Sequence, residues 1–216
     1  MGWLAVLMYA ALLVVVVWQA WARDDLDRSA PPRREAGAPQ FIEAWERSRT
    51  ATFVTTGTYE RHNVQTGASI ASEDIVVQRP PRRLHRQLGG VDGRDDDRLV
   101  VCPAPPEGDE HEEPCRLGPS GGPTYAASLR DEIAGLRSIL LGDDPLYRVR
   151  EREPGCFALE LLRIDPRAPF GVQASFCFDP ATGAPTSRRV VHEGGTTEVL
   201  VVTGIRTEVT DADLEP

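Results

Sequence analysis

The sequence predicts an α+β fold: one open antiparallel sheet with an amphipathic helix laid over one face. Three stretches carry this. Residues 156–207 read as successive strands with their turns written between them. Residues 157–163 are rich in Phe and Leu, and 171–179 alternate, with Val172, Ala174, Phe176 and Phe178 on one side. A Pro/Gly turn at 179–185 and the pair Gly194-Gly195 separate these from strands at 188–192 and 196–207. Residues 50–61 and 70–78 form a second set, rich in β-branched side chains and joined through a turn at 64–68. Between the two sets lies Tyr125–Leu141, where Leu129, Ile133, Leu136 and Leu140 recur on one helical face. Successive strands joined by short turns usually pair, and an open sheet needs one face covered.

Taken in order, residues 2–22 are almost continuously apolar, and Gln19 is the one conventionally polar side chain. At 1.5 Å per residue this stretch spans roughly 30 Å, the thickness of a bilayer's hydrocarbon core. Trp3, Trp18 and Trp21 stand towards its ends, where amphipathic rings prefer the interface. We expect residues 1–22 to be a single transmembrane anchor. The alternative is a signal segment cleaved after Ala20-Trp21-Ala22, giving a secreted domain. Both place the rest of the chain outside the cytoplasm. The arginines just after the span, Arg23, Arg28, Arg33 and Arg34, favour the opposite orientation, whereas the cysteines favour export.

Residues 23–38 read as a solvated linker, 39–210 as the folded domain and 211–216 as a tail. A short helix with Phe41, Ile42 and Trp45 on its apolar face follows Pro39. Pro80-Pro81 ends the second strand, and 82–88 and 98–102 are shorter strand candidates separated by Gly89-Gly90 and the polar 93–97. Thr124 or Ser128 could cap the long helix, and Gly142 ends it. Residues 146–151 resume strand character.

The chain has 216 residues and a net charge of −9, and all 24 of its basic residues are arginine. The absence of lysine and the single Asn63 point to the coding bias of a high-GC, actinobacterial-type genome. An acidic chain gains no counterion-release energy from nucleic acid, which excludes that partner.

Four cysteines allow three connectivities, and local pairing, Cys102–Cys115 and Cys156–Cys177, is the simplest because each pair brackets one loop. Metal binding fails on spacing, and no cofactor is expected. The acidic run 107–113 has no calcium-loop register and reads as a solvated loop. Arg79, Arg82, Arg83 and Arg86 could meet anionic headgroups, but protection of an edge strand by charge is the commoner arrangement. There is no Gly-x-Ser-x-Gly elbow, and His62, His85, His111 and His192 all sit in polar or turn-proximal contexts. The chain therefore reads as non-enzymatic. A histidine beside Ser or Asp in a cleft would be the one feature to revive hydrolysis.

This order of elements resembles the lipoprotein-carrier superfamily with the LolA-like fold, which includes lipoprotein chaperones, mycobacterial lipid-carrying lipoproteins and sensors that bind anti-sigma factors. The resemblance rests on the short helix leading into residues 51–59 and on the helix inserted midway, and it covers roughly residues 39–208. It implies a strongly curved half-barrel that holds an acyl chain, lipid or lipoprotein-like ligand between sheet and helix, or alternatively a membrane-protein partner. The candidate lining is Phe53, Tyr59, Val76, Leu159, Leu161 and Phe176, continued by Phe178, Val199 and Val201. Leu129, Ile133, Leu136 and Leu140 oppose it. Such residues could equally fill one another's space as a dry core.

Overall fold

The computed structural model describes residues 37–104, 115–166 and 168–216. The expected span and most of the linker, and the acidic run 107–113, lie outside them. Among the described residues no helix is long and apolar enough to cross a membrane.

Helix α1 (Gly37–Thr50) opens the domain, two residues earlier than Pro39 suggests. Gly37 packs on the strand that passes beneath it, where a Cβ would lie 2.7 Å from the Val149 carbonyl oxygen. Six strands follow: β1 (Phe53–Asn63), β2 (Ser69–Arg79), β3 (Arg82–Gln87), β4 (Gly90–Asp95), β5 (Arg98–Cys102) and β6 (Arg116–Leu117). Helix α2 (Tyr125–Leu141) interrupts them. Then come β7 (Tyr147–Glu153), β8 (Cys156–Leu161), β9 (Gln173–Phe178), β10 (Pro185–Val191) and β11 (Thr196–Arg206). A single 3₁₀ turn, Ala212–Leu214, ends the chain's regular structure.

All of these strands join one open 11-stranded sheet in the order β6-β5-β4-β3-β2-β1-β11-β10-β9-β8-β7. Every ladder is antiparallel. Two meanders thus run outward from the centre, and the first and last strands pair to join them. At that seam β11 carries an extra residue opposite Thr56 and Gly57. Gly57 suits the close approach, since a Cβ there would meet the Val201 carbonyl oxygen at 2.4 Å.

Strand β4 is absent from the sequence expectation, which placed turns there. Its Gly-Val-Asp-Gly-Arg-Asp has little strand propensity of its own, and the pairing with β3 and β5 on both sides holds it. Strand β3 is accordingly interior, so its arginines do not guard an edge.

Alternation divides the sheet into two faces. The face carrying the helices, here the inner face, presents Phe53 and Tyr59 from β1, Leu200 from β11, Phe176 from β9 and Phe157 from β8. Helix α1 contributes Phe41 and Ile42 and helix α2 contributes Ile133, Leu136 and Leu140 to one apolar cluster over β7–β10. Buried Gln78 of β2 fastens α1 in place: its Nε2 donates to the carbonyls of Ser48 and Ala51, both at 2.7 Å, satisfying acceptors that a helix end leaves open.

The outer face of β1 and β2 is covered by the chain's own end. Leu214 is fully buried against Val54 and Val77. Arg79 pairs with Asp211 and donates to the Val209 carbonyl, Arg82 donates to the Leu214 carbonyl at 3.1 Å, and Arg86 reaches the Glu215 carbonyl. Arg79, Arg82 and Arg86 thus hold residues 209–215 rather than protecting an edge, and the segment expected as a tail packs on the sheet. Leu214→Ala should cost about 2–4 kcal/mol, read as a fall in the urea midpoint of unfolding.

Candidate functional site

The residues expected to line a ligand cavity mostly pack on one another. Ile133, Leu136, Leu159, Phe176 and Phe178 belong to one buried cluster, with Leu129 and Leu161 packed against its margin. Aromatic rings fill its centre, Phe41 lying 5.5 Å from each of Trp45, Phe157 and Phe176. Phe53 and Val76 form a separate small cluster with Ala184. Tyr59 is buried on the same face, beside Leu200. Val199 and Val201 do not point inward: they pair with Glu60 and Thr58 on the outer face, and Val201 is half exposed. The register with Tyr59 selects Leu200 instead, because side chains alternate between faces.

The inner face changes character across β2 to β4, where polar side chains replace apolar ones. Buried Asp74 accepts from His85 Nε2 and from Gln87 Nε2, both at 2.7 Å. Asp92 stands 3.5 Å from the other ring nitrogen. Burial alone would lower the His85 pKa, but hydrogen bonds to Asp74 and Asp92 outweigh it and raise the value above the ordinary range. Both ring nitrogens are held by carboxylates, so no base is left facing a nucleophile and the pair is not a hydrolytic dyad. His85 in turn holds Asp92 below the usual carboxylate range.

A group whose folded pKa is raised contributes stability below its unfolded pKa, and that contribution disappears as pH rises through the folded value. His85 should therefore stabilise the domain fully below about pH 6.5 and progressively less above it. Asp92 works the other way, losing its contribution in acid. The destabilisation caused by His85→Gln should accordingly be larger at pH 5.5 than at pH 9 in urea unfolding.

Beside this network lies a cleft of about 250 Å³ between β3–β5, the end of α1 and the first half of α2. Arg83, Asp92 and Arg94 enter it from the sheet, Arg49 from α1, and Tyr125 and Glu132 from α2. Leu99 and Leu129 add an apolar wall. Local chemistry fixes each element. Thr124 caps α2 by accepting from Ala127 N at 3.3 Å, and Asp96, in the β4–β5 turn, accepts from Tyr125 N at 3.1 Å. Glu132 Oε1 binds both Trp45 Nε1 at 2.9 Å and Arg49 Nη2 at 3.0 Å, tying the two helices together. The Tyr125 hydroxyl donates to the Arg49 carbonyl at 2.6 Å, and Arg94 donates to Ser128 Oγ.

Arg83 differs from its neighbours. Its Nε, like that of Arg49, is sealed from solvent without an acceptor, but unlike Arg49 it has no ion-pair partner among the described residues. Burial, and then the like charge of Arg49, push its pKa down to about 10, so it remains cationic at neutral pH. In sequence Arg83 falls into one cluster with Arg79, Arg82 and Arg86. The signal that separates them is alternation about buried Leu84, which sends Arg83 inward and Arg82 outward.

No family model matches the chain, and no curated protein matches it. Among solved structures it is similar to the MucA/MucB complex of Pseudomonas aeruginosa, at 18% identity over 84% of this chain and 61% of that one, with a TM-score of 0.47. It is similar also to MucB alone, at 20% identity over 84% of this chain and 63% of that one, with a TM-score of 0.44. A LolA superfamily protein from Nitrosomonas europaea aligns at 10% identity over 84% of this chain and 98% of its own length, with a TM-score of 0.35. The chain spans about three fifths of the length of the first two. The likeness is one of architecture.

Proposed function

We propose that this is a non-catalytic, extracytoplasmic binding domain, held at the membrane by residues 1–22, that engages a protein partner through the arginine-lined cleft. One observation carries this: the apolar half of the inner face is packed with its own side chains, while the polar half beside it stays open. A sequestered acyl chain needs an apolar cavity, and pockets for drug-sized ligands occupy roughly 300–1,000 Å³. The cleft falls short of that range and is rimmed by charge, which suits a side chain presented by a protein surface. The two disulfides support an oxidising compartment.

Native mass spectrometry of the full-length chain extracted from its own membrane tests the choice. We expect the protein mass without bound acyl lipid, together with a site-specific crosslink from a photoreactive residue at exposed Leu99 to one stoichiometric protein. A stoichiometric lipid adduct, without that crosslink, would return the domain to lipid carriage.

A further inference from the structure

We infer that the cleft recognises a single carboxylate, presented by an acidic side chain of the partner, and that Arg83 is the group that binds it. This rests on the reading of the cleft as a partner site. Three guanidinium groups, of Arg49, Arg83 and Arg94, face two carboxylates, of Asp92 and Glu132. Arg49 is paired with Glu132 and stacks 5.0 Å over the Trp45 ring, and Asp92 is turned to His85. Arg94 is anchored on Ser128. Among the described residues neither Arg83 nor Arg94 faces a carboxylate of its own, and Arg83, which lacks a hydrogen bond as well, stands next to the open space.

Arg83 is partly buried with its Nε sealed from water, and a desolvated cation without a hydrogen bond is costly. Neighbouring Arg49 adds repulsion, and Asp92 and Glu132 each attract it more weakly than Arg49 repels it. The fold fixes the backbone that carries this side chain: β3 lies between two paired strands, and a Cβ at Gly93 would sit 2.3 Å from the Arg83 carbonyl oxygen. An incoming carboxylate would accept from the guanidinium fork in the planar geometry that arginine favours.

The ligand's charge follows from the same inventory. The five charges sum to +1, so one carboxylate brings the cleft to neutrality, whereas a phosphate dianion would leave net negative charge beside Glu132 and Asp92. Leu99 and Val101 stand half exposed or more on the inner face next to the cleft, Leu99 forming part of its wall. They offer apolar contact to residues flanking the acidic one.

Two arms test this on the full-length chain. In the first, ligand-observed NMR titrations use acetyl-Leu-Glu-Leu-amide, its Gln counterpart, inorganic phosphate and octanoate. The Glu peptide should bind saturably and at least about tenfold more tightly than the Gln peptide, the discrimination expected of a charge-assisted hydrogen bond. Arg83→Gln should abolish that difference, while Arg189→Gln, at an exposed position on the outer face, should leave it intact. In the second arm, Arg83→Gln without ligand should raise Tm by a few degrees, since it removes a partly buried charge that has no ion pair among the described residues. An arginine with only a structural role would give a fall.

Equal binding of the Glu and Gln peptides, or discrimination that survives Arg83→Gln, overturns the inference. So does tighter binding of phosphate, which would assign the site to a different anion, or of octanoate, which would assign the carboxylate to an acyl chain instead of a side chain. A Leu99 crosslink to a protein partner that persists unchanged in Arg83→Gln would sink the role of Arg83 while leaving the partner reading standing.

Discussion

Replacing Phe41 by Ala should lower the stability of the domain by about 3–5 kcal/mol, the range for truncating a buried aromatic ring. Phe41 is fully buried at the point where α1 meets the sheet. Its ring packs edge-on to Phe157 at 5.5 Å and Phe170 at 6.1 Å, and tilted against Trp45 and Phe176 at 5.5 Å and Phe178 at 6.3 Å. No neighbour can simply move inward, because Phe157, Phe176 and Phe178 are fixed to strands and Phe170 donates its backbone N–H to the Tyr147 hydroxyl at 2.9 Å. A cavity would therefore persist. Since domains are stable by only about 5–15 kcal/mol, the variant should be partly unfolded at 37 °C. Urea unfolding followed by circular dichroism would show this as a large fall in midpoint. Val201→Ala, on the exposed outer face, should shift the midpoint by no more than about 0.5 kcal/mol equivalent. Comparable losses in the two variants would mean that the ring cluster is not the centre of the core.

What could be read from the sequence follows from how local each signal is. Helix α2 was legible because Ile133, Leu136 and Leu140 recur at helical spacing and all three reach the core. Strands β7 to β11 were legible because prolines and glycines mark their turns. Strand β4 was not, for its stability comes from partners on both sides. Residues 199–202, Val-Leu-Val-Val, allow either alternation, and only pairing with Tyr59 turns Leu200 inward. Leu214 is one apolar residue in an acidic end, so nothing local distinguishes it from a solvated tail. The cleft was the least legible feature. Arg49, Arg83 and Arg94 come from three elements, and each looks like an ordinary surface arginine until the fold brings them together. Even the cavity residues chosen correctly for burial, such as Phe176 and Leu159, could not be told apart as lining or filling, because both roles select the same side chains.

Removing the Cys156–Cys177 bridge should destabilise the domain by about 3 kcal/mol, and removing Cys102–Cys115 should cost clearly less. Both pairs are bridged, each with Cα atoms 4.1 Å apart. Loop closure alone barely distinguishes them: sequence separations of 21 and 13 differ by only about 0.4 kcal/mol on the chain-entropy account. Position makes the difference. Cys156 and Cys177 are register partners on β8 and β9, and the adjacent residues Phe157 and Phe176 face each other in the core. Without the bridge, the unfolded chain gains freedom and the whole core must resist it. Cys115 instead precedes β6, a two-residue strand at the edge of the sheet. Loss of that bridge can be absorbed by local opening of the edge, which leaves the core in place. Cys156→Ala with Cys177→Ala should therefore shift the global urea midpoint. Cys102→Ala with Cys115→Ala should chiefly increase proteolytic cleavage within residues 103–114. A larger midpoint shift for the second pair would show that the edge strands belong to the cooperative core. Four free thiols in protein from its native compartment would remove the argument for export altogether, since reduced cysteines are the rule in the cytoplasm.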